Sequence, residues 1–204
     1  MISRTLLITA AAILLPATAC SQPVEPAAEQ PAEAAAPAAE TAAGMEAASL
    51  EADGDIMLRD RSIAGRVTLR QGAEGVVIHI EADGLPEDAR NQWHGAHLHS
   101  IGDCSAEDFT SSAGHINPSA RQHGLLNPEG PDNADLPNLW VDGNGAIRAE
   151  VYTTRVSLDG SAMLPALLDD DGSALVIHAG SDDLVTQPIG GAGARIACAV
   201  ITGP

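Results

Sequence analysis

Residues 50–204 alternate short runs rich in β-branched residues with clusters of turn-forming residues. The runs with a strand-like pattern lie at 62–70, 75–82, 92–100, 146–154, 174–179 and 195–201, with weaker ones at 50–59 and 139–141. Gly, Asp, Asn and Pro separate them, for example in DGLPED and DGNG. About eight short strands joined by such turns predict an all-β domain, built as a sandwich or a barrel.

A long stretch at 102–137 has no clean strand pattern. A loop of that length inside a compact domain is uncommon unless it is functional or is held by a metal or a disulfide. It contains His115 and His123 close to Asp132 and Asp135. Loop histidines with acidic neighbours are suitable ligands for zinc.

Residues 1–19 have the layout of a signal peptide. Arg4 is followed by an uncharged apolar stretch that is too short to span a bilayer comfortably, and then by small residues. Cys20 directly follows Ala-Thr-Ala, which resembles a bacterial lipoprotein cleavage site where the cysteine is lipidated. The alternative is an ordinary secreted protein that is cut after Ala19 or nearby.

Residues 20–49 are predicted to be a disordered tether between Cys20 and the folded domain. The segment is rich in alanine, and no large apolar residue repeats at the spacing of a helix core. Prolines interrupt any helix there, at positions 23, 26, 31 and 37. Such a composition gives a mildly extended linker.

The charge of the chain excludes two classes of partner. Lys and Arg together number 10 against 28 Asp and Glu, which gives a formal net charge of −18. Phosphates would be repelled and no basic stripe offsets this, so we expect no nucleic-acid partner. Electrostatic docking on anionic lipid is excluded for the same reason, and the membrane is expected only through a lipid at Cys20.

Two histidines in the run 92–100 lie two residues apart. In a strand, His97 and His99 would therefore point to the same face and present two imidazoles side by side. Two neutral imidazoles in that arrangement favour a cation between them. An isolated pair of this kind is a weak signal, and most such pairs bind no metal.

A series of short motifs occurs in a fixed order and is far more specific than the pair. The motifs are GAHLHS at 95–100, GDC at 102–104, GHINP at 114–118, QHG at 122–124, DLPNL at 135–139, ALVIHAGSDDL at 174–184 and GARIACAVI at 193–201. They resemble the copper/zinc superoxide dismutase family in its bacterial periplasmic form, over essentially all of 50–204. The resemblance implies an eight-stranded Greek-key β-barrel or sandwich with long metal-binding and electrostatic loops.

The resemblance also implies a copper site. Its ligands would be His97, His99, His115 and His178, and His115 would bridge copper to zinc. Arg195 would lie beside the copper, where it guides and holds the anionic substrate, superoxide.

Further roles come from the same resemblance. Asp182 would link a copper-ligand histidine to a zinc-ligand histidine by hydrogen bonds, and His94 would support the copper ligands. Cys104 and Cys198 would form a disulfide within the domain, which suits an exported chain. If Cys20 is lipidated, these two cysteines are left as a pair.

The zinc site departs from the family pattern. His115, His123 and Asp135 match zinc ligands, but Asp132 stands where the family has a third histidine. Aspartate is a harder, shorter and anionic ligand. Three outcomes are open: Asp132 binds zinc directly, the loop shifts to use another group, or zinc binds weakly or not at all.

The resemblance implies an enzyme that converts superoxide to dioxygen and hydrogen peroxide in the periplasm or cell envelope of a Gram-negative bacterium. A homodimer is possible, because members of the family occur as monomers and as dimers. The alternative is a non-catalytic protein that buffers copper. Such a protein would not need Arg195, because it binds no anionic substrate. Since residues 179–194 contain no basic residue, we expect weak electrostatic steering of superoxide.

Overall fold

The computed structural model describes residues 50–204, and the predicted signal peptide, Cys20 and the whole predicted tether lie outside these residues. The described part contains nine strands and three single 3-10 turns, and it contains no α-helix. Within the same residues, no helix has the length and apolar character needed to cross a membrane.

The strands occupy the positions that the sequence pattern predicts, with one difference. In chain order they are β1 (Glu51–Leu58), β2 (Ile63–Gln71), β3 (Val76–Ala82), β4 (Gln92–His94), β5 (Ala96–His99), β6 (Leu139–Val141), β7 (Ile147–Thr153), β8 (Ser173–His178) and β9 (Arg195–Ile201). The predicted run 92–100 is two strands, which makes nine strands instead of eight.

The break falls at Gly95, where the chain passes from one sheet to the other. Gly95 donates its N–H to the carbonyl oxygen of Gly180 at 2.8 Å and accepts from the N–H of His178 at 2.9 Å. A Cβ atom on Gly95 would lie 2.8 Å from the Cβ of Ala192, which is closer than two carbon atoms can pack. The tight approach at this glycine interrupts a run that otherwise reads as one strand.

The large sheet has the strand order β5-β8-β9-β1-β2-β3-β7, and β4 pairs with β6 in a small second sheet. All strand pairs are antiparallel. β7 and β8 are consecutive in the chain but lie at opposite sides of this order, so the chain crosses over between them. The predicted all-β class is confirmed.

The core is formed by the apolar face of each strand. β3 alternates buried and less buried residues along its length, as a strand with one solvated face should. Among the fully buried side chains are Leu69, Ile78, Ile80 and Ile147. Each contributes roughly 1.5–3 kcal/mol by leaving water.

β5 is an exception, because all four of its residues are buried. Leu98 packs into the hydrophobic core, and its neighbours His97 and His99 point to the opposite face. One edge of β5 pairs with β8. Two segments of the loop between β5 and β6 pair with the other edge, opposite His97 and His99. The sheet therefore buries two imidazoles between a strand and a folded loop.

Candidate metal centre

Three imidazoles come together on two neighbouring strands. His97 and His99 lie on β5, and His178 is the last residue of β8, which pairs with β5. One ring nitrogen from each of the three lies within 4.8 Å of the others. All three residues are at most 1% exposed. We call these three residues the strand cluster.

Each ring of the strand cluster is oriented by a hydrogen bond through one nitrogen. His97 Nε2 lies 3.0 Å from a carboxylate oxygen of Asp182. His99 Nδ1 lies 2.9 Å from the carbonyl oxygen of Ala113, and His178 Nδ1 lies 2.9 Å from that of Gly193. These acceptors place the ring proton on the named nitrogen and leave the lone pair on the other one.

The remaining ring nitrogens are buried and have no hydrogen-bond partner among the described residues. They are His97 Nδ1, His99 Nε2, His178 Nε2 and, from the loop, His115 Nε2. A buried polar atom without a partner costs about 1–3 kcal/mol, and several converging on one place call for an explanation. A metal ion that accepts the lone pairs of the three strand-cluster nitrogens satisfies those three at once, so the donor set fits a metal. The ring of His115 lies next to them, with its centroid 4.4 Å from that of His97 and 5.4 Å from that of His99.

The electrostatics of the strand cluster favour neutral rings. Burial lowers the pKa of His99 to about 2 and that of His178 to about 4. Burial also lowers the pKa of His97, although the hydrogen bond to Asp182 opposes this effect. At neutral pH these rings therefore carry no proton on the nitrogen that a metal would bind.

A second group of possible ligands comes from the long loop. His115, His123, Asp132 and Asp135 each offer an atom within 4.8 Å of the others. We call these four residues the loop cluster. The ring nitrogen Nδ1 of His115 lies 2.8 Å from Asp132 Oδ2, and Nδ1 of His123 lies 2.5 Å from Asp135 Oδ1.

Backbone pairing with β5 brings the loop cluster into place. Residues His115 and Asp135 form isolated bridges with His99 and His97, respectively. The carboxylate of Asp132 is then held by backbone N–H donors, since Oδ1 accepts from Ala134 at 2.9 Å and from Asp135 at 3.1 Å. Asp132 thus lies inside the cluster, with its second oxygen directed at a histidine.

Asp182 joins the two clusters. Its oxygens lie 3.0 Å from His97 Nε2 and 3.1 Å from His123 Nε2. Burial alone would lower the pKa of His123, but hydrogen bonds to Asp135 and Asp182 outweigh it and raise that pKa to about 10. Burial tends to raise the pKa of Asp182, but the hydrogen bonds to His123 and His97 outweigh burial and lower that pKa. A side chain at Gly190 would collide with Asp182, because a Cβ there would lie 1.6 Å from Oδ1.

Arg195 lies beside the strand cluster because of a register shift. At the end of β8, His178 pairs with Arg195 after an irregularity between Ile177 and His178. The guanidinium donates to the carbonyl oxygens of Phe109 and Ala113, each at 2.6 Å, and to Ser112 Oγ at 3.0 Å. Ala113 also accepts from His99, so one carbonyl orients both the arginine and a ring of the strand cluster.

A disulfide ties β9, the strand that carries Arg195, to the loop that accepts the hydrogen bonds of Arg195. Cys104 and Cys198 are bonded, with a Cα–Cα distance of 5.9 Å, which confirms the predicted pair. Arg61 adds hydrogen bonds to the carbonyl oxygens of Cys104, at 2.8 Å, and Ser105, at 2.6 Å. The acceptor loop of Arg195 is therefore fixed covalently and by hydrogen bonds.

His94 contacts the backbone of the strand cluster at His178. It is fully buried, and its two ring nitrogens each lie 2.7 Å from a carbonyl oxygen, one of His178 and one of Ala89. It thereby fixes the backbone of His178.

A cavity of about 520 Å³ opens onto both clusters. Its walls include His99, His115 and His178, and two arginines, Arg121 and Arg195. Arg121 is not among the site residues predicted from the sequence. Its position between two of the loop histidines was the available signal, but nothing in the sequence shows which way the side chain points.

Known proteins resemble this chain along the same residues. The family model for copper/zinc superoxide dismutase (SODC) matches residues 63–201. The chain belongs to the copper/zinc superoxide dismutase family. A superoxide dismutase [Cu-Zn] of Caulobacter vibrioides is 49% identical over 143 residues, which cover 70% of this chain and 80% of that protein.

Two further comparisons agree. Superoxide dismutase [Cu-Zn] 1 of Aquifex aeolicus is 41% identical over 155 residues, covering 76% of this chain and 89% of that one. The crystal structure of a SOD-like protein from Bacillus subtilis has a TM-score of 0.68 and 34% identity, and the match covers 74% of this chain and 97% of that chain. Copper and zinc are the cofactors of this superoxide dismutase family, and the two clusters offer ligands for both.

Proposed function

We propose that the chain is a superoxide dismutase, which converts superoxide to dioxygen and hydrogen peroxide. The observation that carries this is the convergence of three buried, unpartnered imidazole nitrogens, with a fourth on the adjacent ring of His115, beside Arg195 in a member of the copper/zinc superoxide dismutase family. Imidazole nitrogens suit copper, which changes oxidation state by one electron, as the reaction requires.

The strand cluster together with His115 would hold copper, through His97 Nδ1 and the Nε2 atoms of the other three rings. Copper bound there would supply the alternate one-electron oxidation and reduction of two superoxide molecules. The hydrogen bonds at the opposite ring nitrogens keep each lone pair directed at the ion. His97 and Asp182 also connect this site to the loop cluster.

Arg195 and His115 act on the substrate. The guanidinium of Arg195 lines the cavity and carries a positive charge that an anion meets before it reaches the rings. His115 also lines the cavity and is less buried than the strand cluster. When its Nε2 is not bound to copper, that nitrogen can hold a proton and donate it to the peroxide product.

The loop cluster would hold zinc through His115, His123, Asp132 and Asp135. We take Asp132 as a direct ligand, because its carboxylate already faces His115 and is held by backbone N–H groups. This is the first of the three outcomes that the sequence leaves open. Zinc at His115 Nδ1 would keep that ring oriented. Asp132 by itself orients the ring through a single hydrogen bond to the same nitrogen.

The test is pulse radiolysis of the copper-loaded protein, with Arg195→Ala measured beside it. A superoxide dismutase accelerates the decay of superoxide, and the variant, with full copper content, is slower. The alternative, a copper-buffering protein, binds copper equally well but gives no accelerated decay with either chain. The absence of accelerated decay would contradict the proposed enzymatic function.

We further propose a location. The disulfide and the bacterial relatives indicate a protein outside the cytoplasm. The sequence around Cys20 supports the periplasm with a lipid anchor at that cysteine. Mass spectrometry of the native mature protein tests this, since an acylated Cys20 at the N-terminus is expected and an unmodified N-terminus contradicts it.

We also propose a homodimer, which is one of the two states that the sequence leaves open, formed through an aromatic surface that we define as Trp93, Trp140 and Tyr152. These side chains are 52%, 42% and 55% exposed, and they line one concave surface. Exposed aromatic clusters are typical of protein interfaces. Arg148 and Glu150 line the same surface, and two copies related by a two-fold axis would bring the aromatic side chains of both copies face to face.

Sedimentation of the wild type and of Trp140→Glu tests the assembly. We expect a dimer for the wild type and a monomer for the variant at equal concentration. A wild-type monomer at all concentrations would contradict the proposed interface.

A further inference from the structure

The cavity beside the strand cluster holds a second arginine that the proposed function does not use. Arg121 lies in the loop between His115 and His123, and with Arg195 it is one of two arginines that line the cavity. We propose that Arg121 is a second steering residue, whose charge attracts superoxide to the cavity. The inference rests on the proposed function and adds a residue to its substrate path.

The position of Arg121 is fixed by neutral groups. Its Nε donates to the carbonyl oxygen of Pro131 at 2.9 Å, and its Nη2 donates to that of Gly130. Its backbone N–H donates to Asn117 Oδ1 at 3.0 Å, and the Asn117 amide donates back to the Arg121 carbonyl at 2.7 Å. Neutral acceptors hold the guanidinium in place without cancelling its charge.

The two cavity arginines differ in this respect from the arginines on the outer face of the sheet. Arg66, Arg70 and Arg148 each form an ion pair with a carboxylate within 4.0 Å. Within residues 50–204, no carboxylate oxygen lies that close to Arg121 or Arg195. The charge of both therefore stays available to an incoming anion.

This placement compensates for the acidic composition of the chain. Residues 179–194 supply no basic side chain, and the formal net charge is −18. At physiological ionic strength a charge acts over roughly 8 Å, so the local field of the cavity decides the encounter more than the distant acidic residues do. The cavity lining carries these two unpaired arginines and one carboxylate, that of Asp132, so positive charge outnumbers negative charge there.

The experiment compares Arg121→Gln and Arg121→Lys with the control Arg70→Gln, which removes one positive charge from β2, outside the cavity lining. All chains are loaded with copper and zinc, and metal content and thermal stability are checked. At low ionic strength we expect Arg121→Gln to lower the second-order rate constant with superoxide about two- to fivefold. Arg121→Lys should keep most of the rate.

The salt dependence separates steering from a structural role. In high salt the difference between Arg121→Gln and the wild type should vanish, because the charge is then screened within about 3 Å at 1 M. A loss of the same size at every ionic strength, or one that Lys does not restore, overturns the proposal. So does a rate for Arg121→Gln equal to that of Arg70→Gln at low ionic strength.

Azide binding, followed through the copper absorption, provides a reading that does not depend on turnover. Azide is a small anion, and Arg121→Gln should bind it about two- to fivefold more weakly at low ionic strength. Suppose that Arg121→Gln binds azide more weakly than the wild type does, while the wild type does not accelerate superoxide decay. In that case the proposed function fails and the anion-attracting role of Arg121 stands. If azide affinity is unchanged while the wild type turns over, Arg121 has no steering role.

Discussion

The strand cluster and the loop cluster solve the same problem of placing ligands in different ways. The strand cluster takes its rings from paired strands, and each ring is oriented by one hydrogen bond and has a free nitrogen. In the loop cluster, Nδ1 of each histidine already contacts a carboxylate. The strand cluster is thus ready for a cation, whereas the loop cluster must replace internal contacts with a metal.

The difference shows how sheet and loop contribute to a metal site. Backbone pairing positions His97, His99 and His178 whether or not a metal is present. The loop cluster depends on isolated bridges, on the disulfide and on Asp182. Three changes to the chain and one measurement of proton release test the contrast, and they are given in order of the expected effect.

Replacing a strand-cluster ring should abolish activity without disturbing the loop cluster. In His178→Ala we expect the copper-dependent rate to fall at least about 100-fold, beyond the effect of losing a supporting hydrogen bond. Zinc content should stay within error of the wild type. His79→Ala, which changes an exposed histidine on β3, is the matched control. Loss of zinc together with copper would show that the clusters are not separable.

Removing the disulfide should destabilise the loop side of the site. In the double variant Cys104→Ser, Cys198→Ser, the free energy of unfolding should fall by up to about 4–5 kcal/mol, because the bridge spans 94 positions. Guanidinium titration of the metal-free chains measures this. Activity should fall as well, since the acceptors of Arg195 lose their anchor. An unchanged midpoint would mean that hydrogen bonds such as those of Arg61 suffice.

Asp182→Asn should weaken both clusters, because Asp182 contacts one histidine in each. We expect a 10- to 100-fold loss of affinity for zinc, and a comparable loss for copper. Competition with a chelator gives both values. An effect on one metal alone would mean that Asp182 supports only one of the two clusters.

Proton release should distinguish the clusters. The pKa of His123 is raised to about 10, so this ring is protonated at pH 7 and must lose a proton when zinc binds. Zinc affinity should rise about tenfold per pH unit between pH 7 and pH 9. Copper binding to the strand cluster should release almost no proton, because the pKa values of His99 and His178 are about 2 and about 4.

Calorimetry in two buffers of different ionisation enthalpy counts these protons. One proton is expected for zinc and near zero for copper. Equal release by both metals would remove the electrostatic distinction between the clusters.

Part of this site is readable from residues alone. The spacing of His97 and His99 predicts a shared face, and the alternation of apolar residues predicts most strands within a residue or two. The break at Gly95 was not predicted, since it arises from a contact with Ala192, which is distant in the chain.

The sequence by itself determined which residue types were available: imidazoles, carboxylates and arginines at spacings that resemble the family. Only the tertiary structure decided which ring nitrogen stays free, that Asp132 faces His115, and that Arg121 shares a cavity with Arg195. These features depend on hydrogen bonds and packing between segments far apart in the chain, and local sequence patterns carry no information about such contacts.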